Sequence, residues 1–241
     1  TRDNPGVTVI IPAHNEAHIL VRTLTSLNRA AAEYGGVVNV LVIDNCSTDH
    51  TGLIAIDMFT RLTNINGELV HEPVPGKSNA LNRGIDETDT EIVIRIDADT
   101  QILPDTIVQA MRHFADPEVG VVGGLPIAPG DGIFDRARDI ETLLKHGYYQ
   151  VAYGAVDMIV GVPGMFAAYR TEAVRAAGGF VGGMNGEDTD MSLRIGEMGF
   201  RIIGDPTVRY VSEVPRSFKH LREQRMRWFR SAYHVSSRNR D

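Results

Sequence analysis

Apolar residues along this chain switch between two spacings, and the switching outlines the architecture. Short runs rich in β-branched residues, Val7 to Pro12, Val37 to Ile43, Leu69 to His71 and Ile92 to Ile96, read as strands. Between them the apolar positions recur every three or four residues. Ile19, Leu20, Thr23, Leu24 and Leu27 form one stripe of a helix predicted from Glu16 to about Ala32, with Asn15 as N-cap and Gly35-Gly36 as its end. A second helix is predicted from Thr51 to Thr60, and a third opens after Gly76 and ends near Gly84. Beyond Pro104 the pattern gives a helix to about Phe114, a strand over 119–124, and a helix from Phe134 to Gln150. Glycine-interrupted strands over 160–164 and 165–170 follow, then a helix from Asp188 to Met198. Short strands over 200–204 and 208–211 and a last helix from Ser217 to Tyr233 complete the chain. Strand–helix repetition predicts an α/β fold of right-handed βαβ units on a mainly parallel sheet flanked by helices.

The strand from Glu91 to Ile96 is apolar on both faces, as in a covered parallel sheet, and it runs into Asp97-Ala98-Asp99. Ligands of open α/β sheets sit off the carboxyl ends of such strands. Two carboxylates this close oppose each other's ionisation unless a cation lies between them. Oxygen donors suit Mg²⁺ or Mn²⁺, and Mg²⁺ commonly takes one or two carboxylates plus substrate phosphates. The spacing fits two readings, a divalent ion on Asp97 and Asp99 that holds a diphosphate, or an Asp-rich turn after a strand. Glu16 and Asp44 stand at the ends of the first two strands, in turns full of capping residues. Glu187 and Asp188 follow the Gly182–Gly186 stretch and open a helix, where acids also suit the helix dipole. Asp190 is assigned to that dipole role alone. In the last helix Gln224, Arg227 and Trp228 share one face by their i, i+3, i+4 spacing.

Composition narrows the function classes. A net charge of −7 argues against a general nucleic-acid binder. Cys46 is the single cysteine, expected as a small buried filler, and it excludes an intrachain disulfide and a cysteine-based zinc site. No apolar run approaches the ~20 residues of a membrane span. A cytoplasmic setting is expected, with association at the inner face of a membrane through the basic last helix.

Six segments in order resemble the inverting family 2 glycosyltransferases of the GT-A fold. They are the strand–Pro-x-x-Asn-Glu start (Pro12 to Glu16), Asp44-Asn45-Cys46-Ser47-Thr48-Asp49, and the loop Gly76-Lys77…Ala80-Leu81-Asn82. Asp97-Ala98-Asp99, Gly186-Glu187-Asp188 and Gln224-Arg225-Met226-Arg227-Trp228 follow. The last is similar to the Gln-x-x-Arg-Trp motif of the branch that includes cellulose, chitin, hyaluronan and poly-N-acetylglucosamine synthases. The resemblance implies a single domain, with residues 1–100 binding the nucleotide sugar and 101–241 the acceptor. It implies a donor site of Pro12, Ala13, Glu16, Asp44, Lys77, Asp97 and Ala98, with Asp97 and Asp99 at the metal, Mn²⁺ or Mg²⁺. Asp188 is the implied general base. Glu187, Gln224, Arg227 and Trp228 serve the diphosphate and the acceptor, Trp228 by stacking on a sugar ring. Asn45 stands where many relatives carry a second aspartate. The expected reaction moves a sugar from a nucleotide-diphosphate donor, UDP-linked in preference, to a hydroxyl of a glycan or lipid-linked acceptor. Two readings compete: a sugar-nucleotide-binding module without catalysis, and a nucleotidyltransferase. The second predicts a glycine-rich basic loop after the first strand, whereas Pro12 to Glu16 is glycine-free and acidic.

Overall fold

Among the described residues eight strands form one sheet, in the order Asn66–His71, Val38–Asp44, Val7–Ala13, Ile92–Ile96, Phe166–Arg170, Val119–Ile127, Arg201–Val211, Gln101–Ile102. The structure, a computed structural model, describes residues 4–154, 161–183 and 186–238, with side chains except at 151, 227 and 231–238. The strands are β1 (Val7–Ala13), β2 (Val38–Asp44), β3 (Asn66–His71), β4 (Ile92–Ile96), β5 (Gln101–Ile102), β6 (Val119–Ile127), β7 (Phe166–Arg170) and β8 (Arg201–Val211). The first four pair in parallel, β6 and β8 are parallel, and β7 runs antiparallel between β4 and β6. The helices are α1 (Leu20–Tyr34), α2 (Thr51–Arg61), α3 (Lys77–Asp86), α4 (Thr106–Met111) and α5 (Ile133–Thr142). α6 (Gln150–Gly154), α7 (Thr171–Ala176), α8 (Glu187–Glu197) and α9 (Phe218–Arg238) follow.

Consecutive residues of β1 enter opposite cores, as a pleated strand covered on both faces requires. Val9 and Ile11 pack with Leu20, Leu24, Leu27, Ile94 and Phe166, while Ile10 packs with Leu81, Val93, Tyr169 and Ile195. The parallel register sets Ala13 beside Asp44, so the tips of these strands end together.

Several local expectations give way. Helix α1 starts at Leu20 instead of Glu16, because Asn15 takes a left-handed φ of 57° and spends its side chain on the neighbouring loop. Helix α3 passes through Gly84 to Asp86, since that glycine is needed for contact: a Cβ there would stand 2.9 Å from Ile10 Cγ2. The helix expected from Phe134 to Gln150 breaks into α5, a π-helical turn at Leu143–Tyr149 and α6, a change that apolar spacing does not register. Residues 161–163 are not a strand, the two late strands are one continuous β8, and the short β5 sits within the expected turn after Asp99. Val160 lies outside the described residues. Cys46 is exposed instead of buried, with a left-handed φ of 59°. Asp190 is fully buried and pairs with Arg194 at 2.7 Å, one turn on.

Candidate active site

The loops after β1 and β2 are sewn together at the sheet's carboxyl edge. The Asn15 side-chain oxygen accepts the backbone N–H groups of Thr48 (2.8 Å) and Asp49 (3.3 Å), while the Glu16 N–H donates to the Thr51 hydroxyl at 2.9 Å. Asn45 extends the seam to the loop before α3. Its amide nitrogen donates to the carbonyls of Glu72 (3.0 Å) and Val74 (2.7 Å), and its oxygen accepts the Gly76 N–H at 2.8 Å. Asn45 is therefore a buried loop brace, and an aspartate could not make the two donations. By fixing Gly76 it fixes the start of α3, where Lys77 stands.

These loops and the tip of β4 enclose a cleft of about 270 Å³. Pro12, Ala13, Glu16, Lys77, Asp97, Ala98 and Asp99 line it, together with His14, Asn45 and Ala80. Seven of the residues singled out by sequence thus meet in one place. Asp44 is not among the lining residues: its Oδ1 accepts the Ser47 N–H at 3.2 Å and its Oδ2 lies 3.4 Å from His71 Nδ1.

Charge is arranged unevenly across this cleft. Lys77 Nζ lies 2.7 Å from Asp97 Oδ1, and the buried Arg95 Nη2 lies 3.6 Å from the same oxygen. Burial alone would lift the Asp97 carboxyl, but Lys77 and Arg95 hold it below the usual range. Asp99 has no ion-pair partner among the described residues, and burial followed by the Asp97 charge raises its pKa. Glu16 is raised the same way, by burial first and Asp99 next. A corner in which Asp99 and Glu16 both resist ionisation is one where an added cation removes a cost. Among the described residues no three His, Cys, Asp or Glu side chains group as a full metal cage. Two carboxylate donors, with phosphates supplying the rest, fit Mg²⁺ or Mn²⁺.

Across the cleft, Glu187 and Asp188 occupy the first turn of α8. Glu187 Oε1 accepts from Arg95 Nη2 at 2.8 Å, and Arg95 then Lys77 keep its pKa below the usual value against burial. Asp188 is raised: burial dominates, Arg95 opposes it and the neighbouring Glu187 adds to it. Two adjacent carboxyls thus take opposite ionisation tendencies, the arrangement that separates a fixed charge from a proton acceptor.

Gln224 and Trp228, expected on the acceptor side, gather against α5 and the turn after it. Arg138 Nη2 donates to Gln224 Oε1 at 2.7 Å, and the Trp228 ring lies under Arg225 (4.6 Å), Arg138 (5.2 Å) and Lys145 (5.7 Å). Arg225 also forms an ion pair with Glu141. The Arg227 side chain lies outside the described residues. Phe218, Phe229 and Met226 on α9 are exposed. Tyr210 of β8 is buried, its hydroxyl without a partner among the described residues, and lies within electrostatic reach of Asp97, Asp188 and Arg138.

Sequence reasoning assigned no role to Arg95, Arg138 or Tyr210. Arg95 alone carried a signal, an arginine inside a run of isoleucines and valine. Arg138 and Tyr210 sit in segments whose polar and aromatic residues look unremarkable until the chain is folded.

The family model described as Glycosyl transferase family 2 matches residues 8–178. The chain is 29% identical over 241 residues to the poly-beta-1,6-N-acetyl-D-glucosamine synthase of Staphylococcus aureus (strain COL), covering 97% of this chain and 56% of that protein. It is equally 29% identical, over 245 residues, to an N-acetylglucosaminyltransferase of Rhizobium meliloti (strain 1021), with 97% and 57% covered. The chain thus spans little more than half the length of these curated relatives. Its fold superposes with a TM-score of 0.84 on the mannosyltransferase PcManGT of Pyrobaculum calidifontis, solved with GDP-Man and Mn²⁺. That pair is 27% identical and covers 100% of this chain and 66% of the other.

Proposed function

Because the chain belongs to glycosyl transferase family 2 and has the GT-A fold, we propose that it moves a sugar from a nucleotide-diphosphate donor to an acceptor hydroxyl with inversion. The observation that carries this reading is the cleft itself, where the Asp97 and Asp99 carboxylates, Lys77 and Glu16 converge at the sheet's carboxyl edge. Residues 1–100 form the donor half and 101–241 the acceptor half. UDP-sugars are the favoured donors, in line with the two N-acetylglucosaminyl-transferring relatives. The acceptor is a glycan or a lipid-linked sugar.

Asp97 and Asp99 would hold Mn²⁺ or Mg²⁺, which when bound supplies a Lewis acid to the departing diphosphate. Lys77 turns its ammonium from Asp97 to the diphosphate and neutralises charge as the bond between the anomeric carbon and the phosphate oxygen breaks. Asp188, ionised, accepts the acceptor's O–H proton while that oxygen attacks the anomeric carbon from the face opposite the leaving group. Glu187 keeps its charge on Arg95 throughout. The loops tied by Asn15 and Asn45 orient the nucleoside, with Asp44 bracing them from behind.

Among the described residues no helix is long and apolar enough to cross a membrane. Ile133, Ile140 and Leu143 in and just after α5, with Phe218 and Phe229 on α9, expose an apolar face flanked by basic residues. We place that face at an anionic membrane surface, on the cytoplasmic side.

The test is release of UDP or GDP from a panel of nucleotide sugars with Mn²⁺ or Mg²⁺ and glycan acceptors. Turnover with at least one donor, lost in Asp188→Asn, is expected. Donor binding with no turnover in the wild type would favour the non-catalytic binding module.

A further inference from the structure

Among the described residues Arg95 heads the large fully buried side chains, 1% exposed, at the fourth of the five positions of strand β4. Its sequence neighbours Ile94 and Ile96 show what that strand otherwise demands. A guanidinium there loses its water, and a buried ion pair seldom adds stability over a well-packed apolar side chain of similar size. Its place needs another reason. One nitrogen, Nη2, does the bonding: it lies 2.8 Å from Glu187 Oε1 and 3.6 Å from Asp97 Oδ1. Nε and Nη1 are buried without hydrogen-bond partners among the described residues. The guanidinium also lies 5.7 Å from the Phe180 ring centroid, so an aromatic face limits its movement.

Gly164 closes this arrangement from the other side. A Cβ on Gly164 would lie 2.9 Å from Arg95 Nη2 and 2.7 Å from Asp188 Oδ2. The guanidinium and the Asp188 carboxylate therefore converge on one point that only a glycine leaves free. Arg95 thus reaches from the strand that ends in Asp97 and Asp99 to the helix turn that presents Glu187 and Asp188. Lys77 already neutralises Asp97 from the open side of the cleft. The charge that Arg95 meets by direct contact is Glu187, next in sequence to Asp188.

Building on the glycosyl-transfer reading, we propose that Arg95 is a positioning residue: through Glu187 it clamps the first turn of α8 to the tip of β4 and sets where Asp188 meets the acceptor. The donor corner keeps its own cation in Lys77, so loss of the clamp acts on catalysis more than on donor binding.

The experiment compares wild type with Arg95→Met, Arg95→Lys and Glu187→Gln by steady-state kinetics and by hydrogen exchange of residues 186–192. Arg95→Met keeps the bulk and removes the charge. If it does not fold, Glu187→Gln removes the ionic part of the same contact from the half-buried end. Expected are a kcat about 100-fold lower with the donor KM within about threefold, the penalty of a misplaced catalytic group. Exchange in the first turn of α8 rises about tenfold as that turn opens locally. Arg95→Lys, which restores the charge, recovers about tenfold of the lost kcat. Unchanged exchange, or kcat and KM losses in equal measure without rescue by lysine, overturns the proposal. A wild type that transfers from no donor rejects the glycosyl-transfer reading and the catalytic role with it; an active wild type with an indifferent Arg95→Met rejects the clamp alone.

Discussion

The Lys77 ammonium rests 2.7 Å from Asp97 Oδ1, so the acidic tip of β4 carries a cation of the protein's own. Lys77 is still partly exposed, its side chain 44% accessible, and it stands at the first residue of α3. It is free to exchange one anion for another. Lys77→Met is expected to weaken UDP or GDP binding roughly ten- to hundredfold, the contribution of one hydrogen bond to a charged group. The same change is expected to tighten binding of Mn²⁺ alone, because the competing cation is gone. Calorimetric titration of nucleotide and of Mn²⁺ separately checks both signs.

Asp188→Asn removes the proposed proton acceptor and leaves the shape of the site. A kcat loss of about 10² to 10⁴ is expected, with donor affinity nearly unchanged. In the wild type, the acid limb of the kcat profile should lie above the ordinary aspartate range, because burial and Glu187 raise the Asp188 pKa. Activity appears as pH rises through that raised value and disappears below it. A profile flat down to the ordinary carboxylate range would assign the base elsewhere.

Asn45→Asp replaces the amide that donates to the Glu72 and Val74 carbonyls with a carboxylate facing both. A buried donor pair lost this way costs about 1–3 kcal/mol. A lowered melting temperature together with a raised donor KM is expected, since the same side chain fixes Gly76 ahead of Lys77. An unchanged melt would show that the brace is dispensable.

Gly164→Ala places a methyl carbon 2.7 Å from Asp188 Oδ2. Steady-state kinetics should show kcat reduced about 10- to 100-fold by displacement of Asp188, with the donor KM held.

The fold and the meeting of Glu16, Lys77, Asp97 and Asp99 in one cleft were legible because each rests on local pattern. Doubly apolar strands declare themselves by β-branched runs, and Asp97 and Asp99 stand where such a strand ends. The acid of Glu187-Asp188 was legible by motif, but its electrostatics were not: Arg95 is 92 positions earlier in sequence, and only the fold joins them. Asn15 resembles a helix cap in sequence, yet it serves as a cross-loop acceptor, because tertiary hydrogen bonds outbid a local one. Asp44 was placed correctly at a strand end, but its oxygens turn to Ser47 and His71, a choice of rotamer that spacing does not encode. The expected stacking face of Trp228 is shared with Arg138, Lys145 and Arg225, two of which come from segments with no motif.

The most direct measurement is titration of UDP and GDP into wild type and Asp99→Asn, each with Mn²⁺ and with chelator. Binding of at least one nucleotide that depends on Mn²⁺ in the wild type, and loses most of that dependence in Asp99→Asn, is the predicted result. Equal affinity with and without the ion, unaltered by the substitution, would contradict a diphosphate held through a cation at the tip of β4.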